Sequence, residues 1–131
     1  MAISFDKALG VHQHTVGVRA KRAETLASNL ANANTPGYKA KDIDFKQALS
    51  AATSGTSMGL NRTHERHIVA TSKRSGDQKF RVPNQPDTGD GNTVDAQVER
   101  NLFMQNALEY QASLDFLGSK FQTMTKAIKG Q

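Results

Sequence analysis

Four histidines and two pairs of carboxylates are the side chains of this 131-residue sequence whose types could do chemistry. A metal needs imidazoles that converge on one point. His12 and His14 are two apart, and on a helix they point about 200° away from each other. His64 and His67 miss the i, i+4 spacing of a helical zinc pair, because residue 68 is Ile. No Cys is present, so disulfides and thiolate zinc sites are excluded. The histidines read as surface or locally hydrogen-bonded groups, and no metal or cofactor is expected. Asp42 with Asp44, and Glu99 with Glu109, come nearest to paired carboxylates. A hydrolytic pair faces across a cleft, and nothing in the sequence builds one. Gly89-Asp90-Gly91 lies in a plain loop and not after a strand, so it is no phosphate cradle. The expectation is a protein that is not an enzyme.

Charge excludes less. The net charge is +5, made of +3 in residues 1–50, +2 in 51–91 and balance in 92–131. Basic and acidic side chains interleave throughout, which suits solvated surface better than a stripe that tracks phosphates. Arg19-Ala20-Lys21-Arg22 is the densest basic cluster, and no aromatic side chain interrupts it for base stacking. It reads as a helix face meeting acidic groups on a neighbouring subunit. Nucleic acid is not an expected partner. No run approaches the ~20 apolar residues that span a bilayer. Residues 1–11 carry no apolar signal-peptide core.

The elements that must position these side chains are helical at both ends. Phe5, Leu9, His12, Val16, Arg19, Ala23, Leu26 and Leu30 recur at steps of four and three, a heptad-like seam. That predicts a helix from about Ser4, its N-cap, to Ala31. Gly10 and Gly17 each cost it roughly 1 kcal/mol, so its order depends on packing. Asn32 to Tyr38 ends it, with Asn taking the left-handed conformation. Thr35-Pro36-Gly37-Tyr38 fits a type II turn, Pro fixing the second position and Gly supplying positive φ at the third. Tyr38 suits a contact between subunits. Ile43 to Leu49 predicts a short element, 51–59 a flexible linker, and 67–70 and 80–82 brief strands. A second helix is expected from Asn92 or Thr93 to about Lys129, stopped by Gly130. Tyr110, Leu114, Leu117, Phe121, Met124 and Ile128 form its seam, with Val94, Val98, Leu102 and Phe103 before them. At 1.5 Å per residue this helix is about 55 Å long, and its N-terminal partner about 42 Å. A compact chain of this size is roughly 36 Å across. The helices therefore need other chains to cover their apolar faces. Two rival classes also follow from these features, a free-standing helical adaptor and a basic nucleic-acid binder.

Asn29-Leu30-Ala31-Asn32-Ala33-Asn34-Thr35-Pro36-Gly37-Tyr38 resembles the signature of bacterial flagellar rod and hook proteins, at its usual place after the N-terminal helix. Lys41-Asp42-Ile43-Asp44-Phe45, Phe80-Arg81-Val82-Pro83, Asp90-Gly91-Asn92-Thr93-Val94-Asp95 and Tyr110-Gln111-Ala112-Ser113-Leu114 extend the resemblance over essentially the whole chain. The short length places it among the proximal members of the flagellar basal-body rod family. That resemblance implies a mainly α fold, an antiparallel pair of long N- and C-terminal helices forming a coiled-coil-like axial domain, with a small irregular or β-containing central segment. It implies one axial subunit, with residues 1–31 as the first helix, 32–91 central and 92–131 as the second helix. Implied partners are copies of the chain, other rod proteins, and ring, rod-adaptor and export-gate components at the rod base. Export would run through the flagellar type III apparatus without cleavage. Phe5-Asp6-Lys7-Ala8-Leu9 matches the family's short export-gate recognition pattern.

Overall fold

A computed structural model describes residues 8–54, 78–83 and 89–130. Five elements follow in order: α1 (Val11–Ala31), β1 (Lys41–Ile43), α2 (Phe45–Thr53), β2 (Gln78–Phe80) and α3 (Ala96–Lys129). The chain is mainly α, with long helices near both ends and a small antiparallel sheet between them. Asn29 meets Glu99 at one end of the α1–α3 pair and His12 meets Phe116 at the other, so the two helices run antiparallel.

The first helix starts later than the sequence predicts. Ser4 and Phe5 lie outside the described residues. Ala8 and Leu9 are helical, but Gly10 then takes φ 56 and α1 begins at Val11. Only glycine enters that region at no steric cost. Gly17 stays within the helix. Its propensity cost of about 1 kcal/mol is small beside the burial of Leu26, worth about 1.5–3 kcal/mol. At the far end Asn32 closes α1 with φ −102, not in the left-handed region expected of it. Its backbone N–H and its side-chain amide both reach the Ser28 carbonyl. With its side chain bonded back into the last turn, Asn32 has no need of positive φ.

The signature turn follows. Gly37 has φ 73, and the Tyr38 N–H donates to the Thr35 carbonyl at 3.2 Å. β1 then pairs with β2, Lys41 opposite Phe80 and Ile43 opposite Gln78. This second strand starts two residues before the run predicted from Phe80-Arg81-Val82. Residues 67–70, also predicted as a strand, lie outside the described residues. The Asp44 carboxylate caps α2 by accepting from the Gln47 N–H at 3.2 Å. Capping carries α2 to Thr53, so 51–53 is helix and not linker.

α3 also starts later than predicted. Its N-cap is Asp95, which accepts from the Gln97 and Val98 N–H groups at 2.9 and 3.2 Å. Asn92 and Thr93, the expected caps, are engaged elsewhere. Glu99 in the first turn and Lys126 and Lys129 in the last complement the helix dipole. Gly130 ends the helix at φ 73.

The apolar core is small. Val18, Ile43 and Ala48 cluster between α1, β1 and α2, with Phe45 and Ala52 against them. Leu26, 0% exposed, is the largest fully buried apolar side chain. Leu26→Ala should cost about 2–5 kcal/mol through lost transfer energy and the cavity left behind. Chemical denaturation followed by helicity measures it.

Candidate functional site

The sequence-predicted seam is distributed over several environments. On the first helix Leu9 and Leu26 are buried, and Val16 and Leu30 half-buried. On the second, Val94 is buried. Leu102, Tyr110, Leu114, Leu117 and Met124 are half-buried, and Val98, Phe103, Phe121 and Ile128 are exposed. Phe5 lies outside the described residues. The fully enclosed positions of α3 are instead Glu99, Asn106 and Ser113. They are seven residues apart and all polar. A search for apolar periodicity passes over them, although the repeat itself is visible in the sequence.

Glu99 is the centre of a polar clamp. It is 0% exposed. Its carboxylate accepts from Asn29 Nδ2 at 3.1 Å and from the Arg81 guanidinium. Arg81 also donates to Asp42 at 3.0 Å. Asp42 receives both Nε and Nη2 of Arg22, at 2.9 and 3.1 Å. Such a two-point pairing matches the guanidinium fork to the carboxylate. Asn29 does more: its Nδ2 donates to the Lys41 carbonyl and its Oδ1 accepts from the Lys41 N–H. The clamp thereby ties α1, β1, the residue after β2, and α3. Breaking a buried pair from one side costs about 3–5 kcal/mol, as much as truncating the most deeply buried apolar side chain.

The signature turn is held by a second set of bonds. Asn92 Nδ2 donates to the carbonyls of Asn32, Ala33 and Thr35 at 3.1, 2.9 and 2.9 Å. The Gly37 N–H donates to the Asp90 carbonyl, and the Thr93 N–H to that of Tyr38. Thr93 Oγ1 accepts from the Ala40 N–H. The Asp90–Asp95 segment is thus the clasp of the turn, which explains why α3 begins after it. Asn29 is buried, Leu30, Asn32 and Tyr38 half-buried, and Asn34, Thr35, Pro36 and Gly37 exposed. The Tyr38 hydroxyl lies 3.3 Å from Ser28 Oγ and 3.4 Å from Asn29 Oδ1. That tip is engaged within the chain.

The basic cluster turns inward as well. Arg19 pairs with Glu109 and lies 4.2 Å from the centre of the Phe45 ring. With Arg22 on Asp42, both arginines of the cluster are met inside the chain. The candidate carboxylates are likewise committed: Asp42 and Glu99 in the clamp, Glu109 to Arg19, and Asp44 to its cap and to Lys79 at 3.5 Å. His12 lies beside Phe116, ring centres 6.1 Å apart. His64 and His67 lie outside the described residues. Between α1 and α3 runs an open groove of about 300 Å³, lined by Ala20, Ala23, Phe103, Asn106, Ala107 and Tyr110. Its walls are apolar, as befits helix packing more than the binding of a charged substrate.

Burial pushes the Asp42 carboxyl up, and hydrogen bonds from Arg22 and the Ile43 N–H, with the Arg22 and Arg81 charges, outweigh it. The result lies below the usual carboxylate value. The Arg22 guanidinium is raised correspondingly, chiefly by its bond to Asp42.

A model of the family "Flagella basal body rod protein" matches residues 15–39, most of α1 and the signature turn. The chain is 56% identical over 131 residues to the flagellar basal body rod protein FlgB of Aeromonas hydrophila, covering 100% of this chain and 99% of that protein. It is 42% identical over 133 residues to the FlgB of Salmonella typhimurium, with 96% of each covered. For the FlgB of Escherichia coli the figures are 39% over 136 residues and 98% of each.

Two outcomes follow from the clamp and the clasp. Because Asp42 titrates lower folded than unfolded, its contribution is complete above the unfolded value near ~3.9. It is lost as pH falls through the lower folded value. Unfolding free energy measured against pH should fall on that acid limb, and Asp42→Asn should flatten it. Asn92→Ala strips donors from three carbonyls and should cost about 1–3 kcal/mol, read as faster amide exchange at Gly37 and Tyr38.

Proposed function

This chain belongs to the FlgB family of flagellar basal-body rod proteins, and from that premise we propose how it does its work in the rod. It is a structural subunit of the basal-body rod, and flagellum assembly and motility depend on that role. Subunits join through the apolar flanks of the terminal helices. One observation carries this reading: the large apolar side chains that α3 leaves outside its own fold. Phe116 is 62% exposed, Phe121 45% and Ile128 87%. A lone exposed apolar residue is ordinary. A series of them on two sides of a helix of about 51 Å, beside a partner of about 32 Å, is apolar surface left for other chains. Each side chain fully covered contributes about 1.5–3 kcal/mol.

The whole chain acts as one axial subunit, with residues 1–31 and 92–131 as its terminal arms and 32–91 as the centre. Its neighbours are copies of itself and other rod proteins, with ring, rod-adaptor and export-gate components at the rod base. No helix among the described residues is long and apolar enough to cross a membrane. Export through the flagellar type III apparatus, with Phe5 and Leu9 read by the gate, suits a chain with so small an apolar core. Leu9 is buried in the folded chain, so the gate would read it before folding. The role is non-enzymatic: the carboxylates nearest to a catalytic pair are held by arginines and a helix cap.

Phe121→Asp tests the seam, because Phe121 is exposed and its loss leaves the chain's own core intact. Helicity should match the wild type, while a deletion strain complemented with the variant forms no swim ring. Gln122→Asp, at the next exposed position, should swim normally. Normal swimming by the Phe121 variant would contradict the assignment.

A further inference from the structure

We propose that Glu99 and Asn106 select the register of the α1–α3 pair, a role that Glu99 holds beside its part in the clamp and that is independent of how subunits assemble. The apolar side chains of α3 repeat every seven residues. Tyr110, Leu117 and Met124 recur at that spacing, as do Leu114, Phe121 and Ile128. A slide of α3 by one heptad, about 10.5 Å, therefore brings apolar side chains back into phase. Apolar packing alone barely separates the two registers.

The polar positions do separate them. In the observed register Glu99 meets Asn29 Nδ2 and the Arg81 guanidinium. Asn106 Nδ2 donates to the Arg19 carbonyl at 3.1 Å. A slide that brings Thr123 beside His12 sets Asn106 where Glu99 stood and parts the Glu99 carboxylate from both of its donors. Stability is a poor explanation for Asn106. It is 1% exposed, and its Oδ1 has no hydrogen-bond partner among the described residues. A buried unpaired acceptor costs more than one hydrogen bond returns, so leucine would hold this position more tightly. A polar residue at one seam position is an attested way to choose register at the expense of stability.

The Cys-free chain makes the test direct. His12→Cys with Phe116→Cys reports the observed register, and His12→Cys with Thr123→Cys a slide of one heptad. Each pair is placed in the full chain, and intramolecular disulfide formation is timed on dilute monomer. With Glu99 and Asn106 present, the first pair should close at least about tenfold faster, the discrimination expected from one uncompensated buried group. With Glu99→Leu and Asn106→Leu together, the thermal midpoint should fall with the loss of the clamp, helicity measured well below that midpoint should persist, and the preference should shrink by at least about threefold, the clasp holding the remainder. Asn106→Leu alone should leave the thermal midpoint unchanged or higher. A preference undiminished in the double variant would overturn the proposal, as would no preference in the starting chain. A lower midpoint in the Asn106 single variant, or helicity lost in the double variant even well below its midpoint, would overturn it too, because these residues would then hold the helices together without choosing between registers.

Discussion

A carboxylate shut away from water must be met by donors, and the organisation of this chain depends on how Glu99 is met. Asn29 and Arg81 reach it from different segments. Each of them is in turn committed elsewhere, Asn29 to the Lys41 backbone and Arg81 to Asp42. The sheet has only three residues per strand, too few to hold itself together in water. It is anchored because the clamp crosses it. The few buried apolar groups around Val18, Ile43 and Ala48 then close against a frame already set by polar contacts.

This arrangement divides the labour between kinds of side chain. Hydrogen-bonding groups face inward along α3, and large apolar groups stand on its flanks and its far end. A monomeric protein commonly does the reverse. In a rod subunit the inversion has a reason. Apolar contact is strong but unspecific in direction, which suits surfaces to be covered on assembly. Ionic and amide contacts demand particular partners, which suits a fold that must present those surfaces in one geometry. The clasp of Asn92 on the signature turn works the same way, fixing the corner between α1 and the centre through three carbonyls.

The helical ends, the Pro36-Gly37 turn and the Gly130 stop were legible because each rests on local chemistry: periodicity, a fixed φ, a free φ. The resemblance at Asn29–Tyr38 and along the later segments led to the rod family. What escaped was long-range. Nothing local says that Asn92, seemingly a helix cap, holds a turn some sixty residues earlier. Nothing local pairs Arg22 and Arg81 with Asp42 rather than with a neighbouring subunit. Gly10 read as a mild penalty within a longer helix, whereas its positive φ breaks the chain direction there. The polar repeat of Glu99, Asn106 and Ser113 lay in plain view. Its meaning required knowing that each member faces a specific partner on another segment.

The most direct measurement is a structure of the assembled rod at side-chain resolution. Asn29 should still meet Glu99 there, and His12 still meet Phe116. Phe121 and Ile128, exposed in the single chain, should be buried against neighbouring subunits. A rod in which those two side chains face solvent, or in which α1 and α3 of one chain have parted, would contradict it.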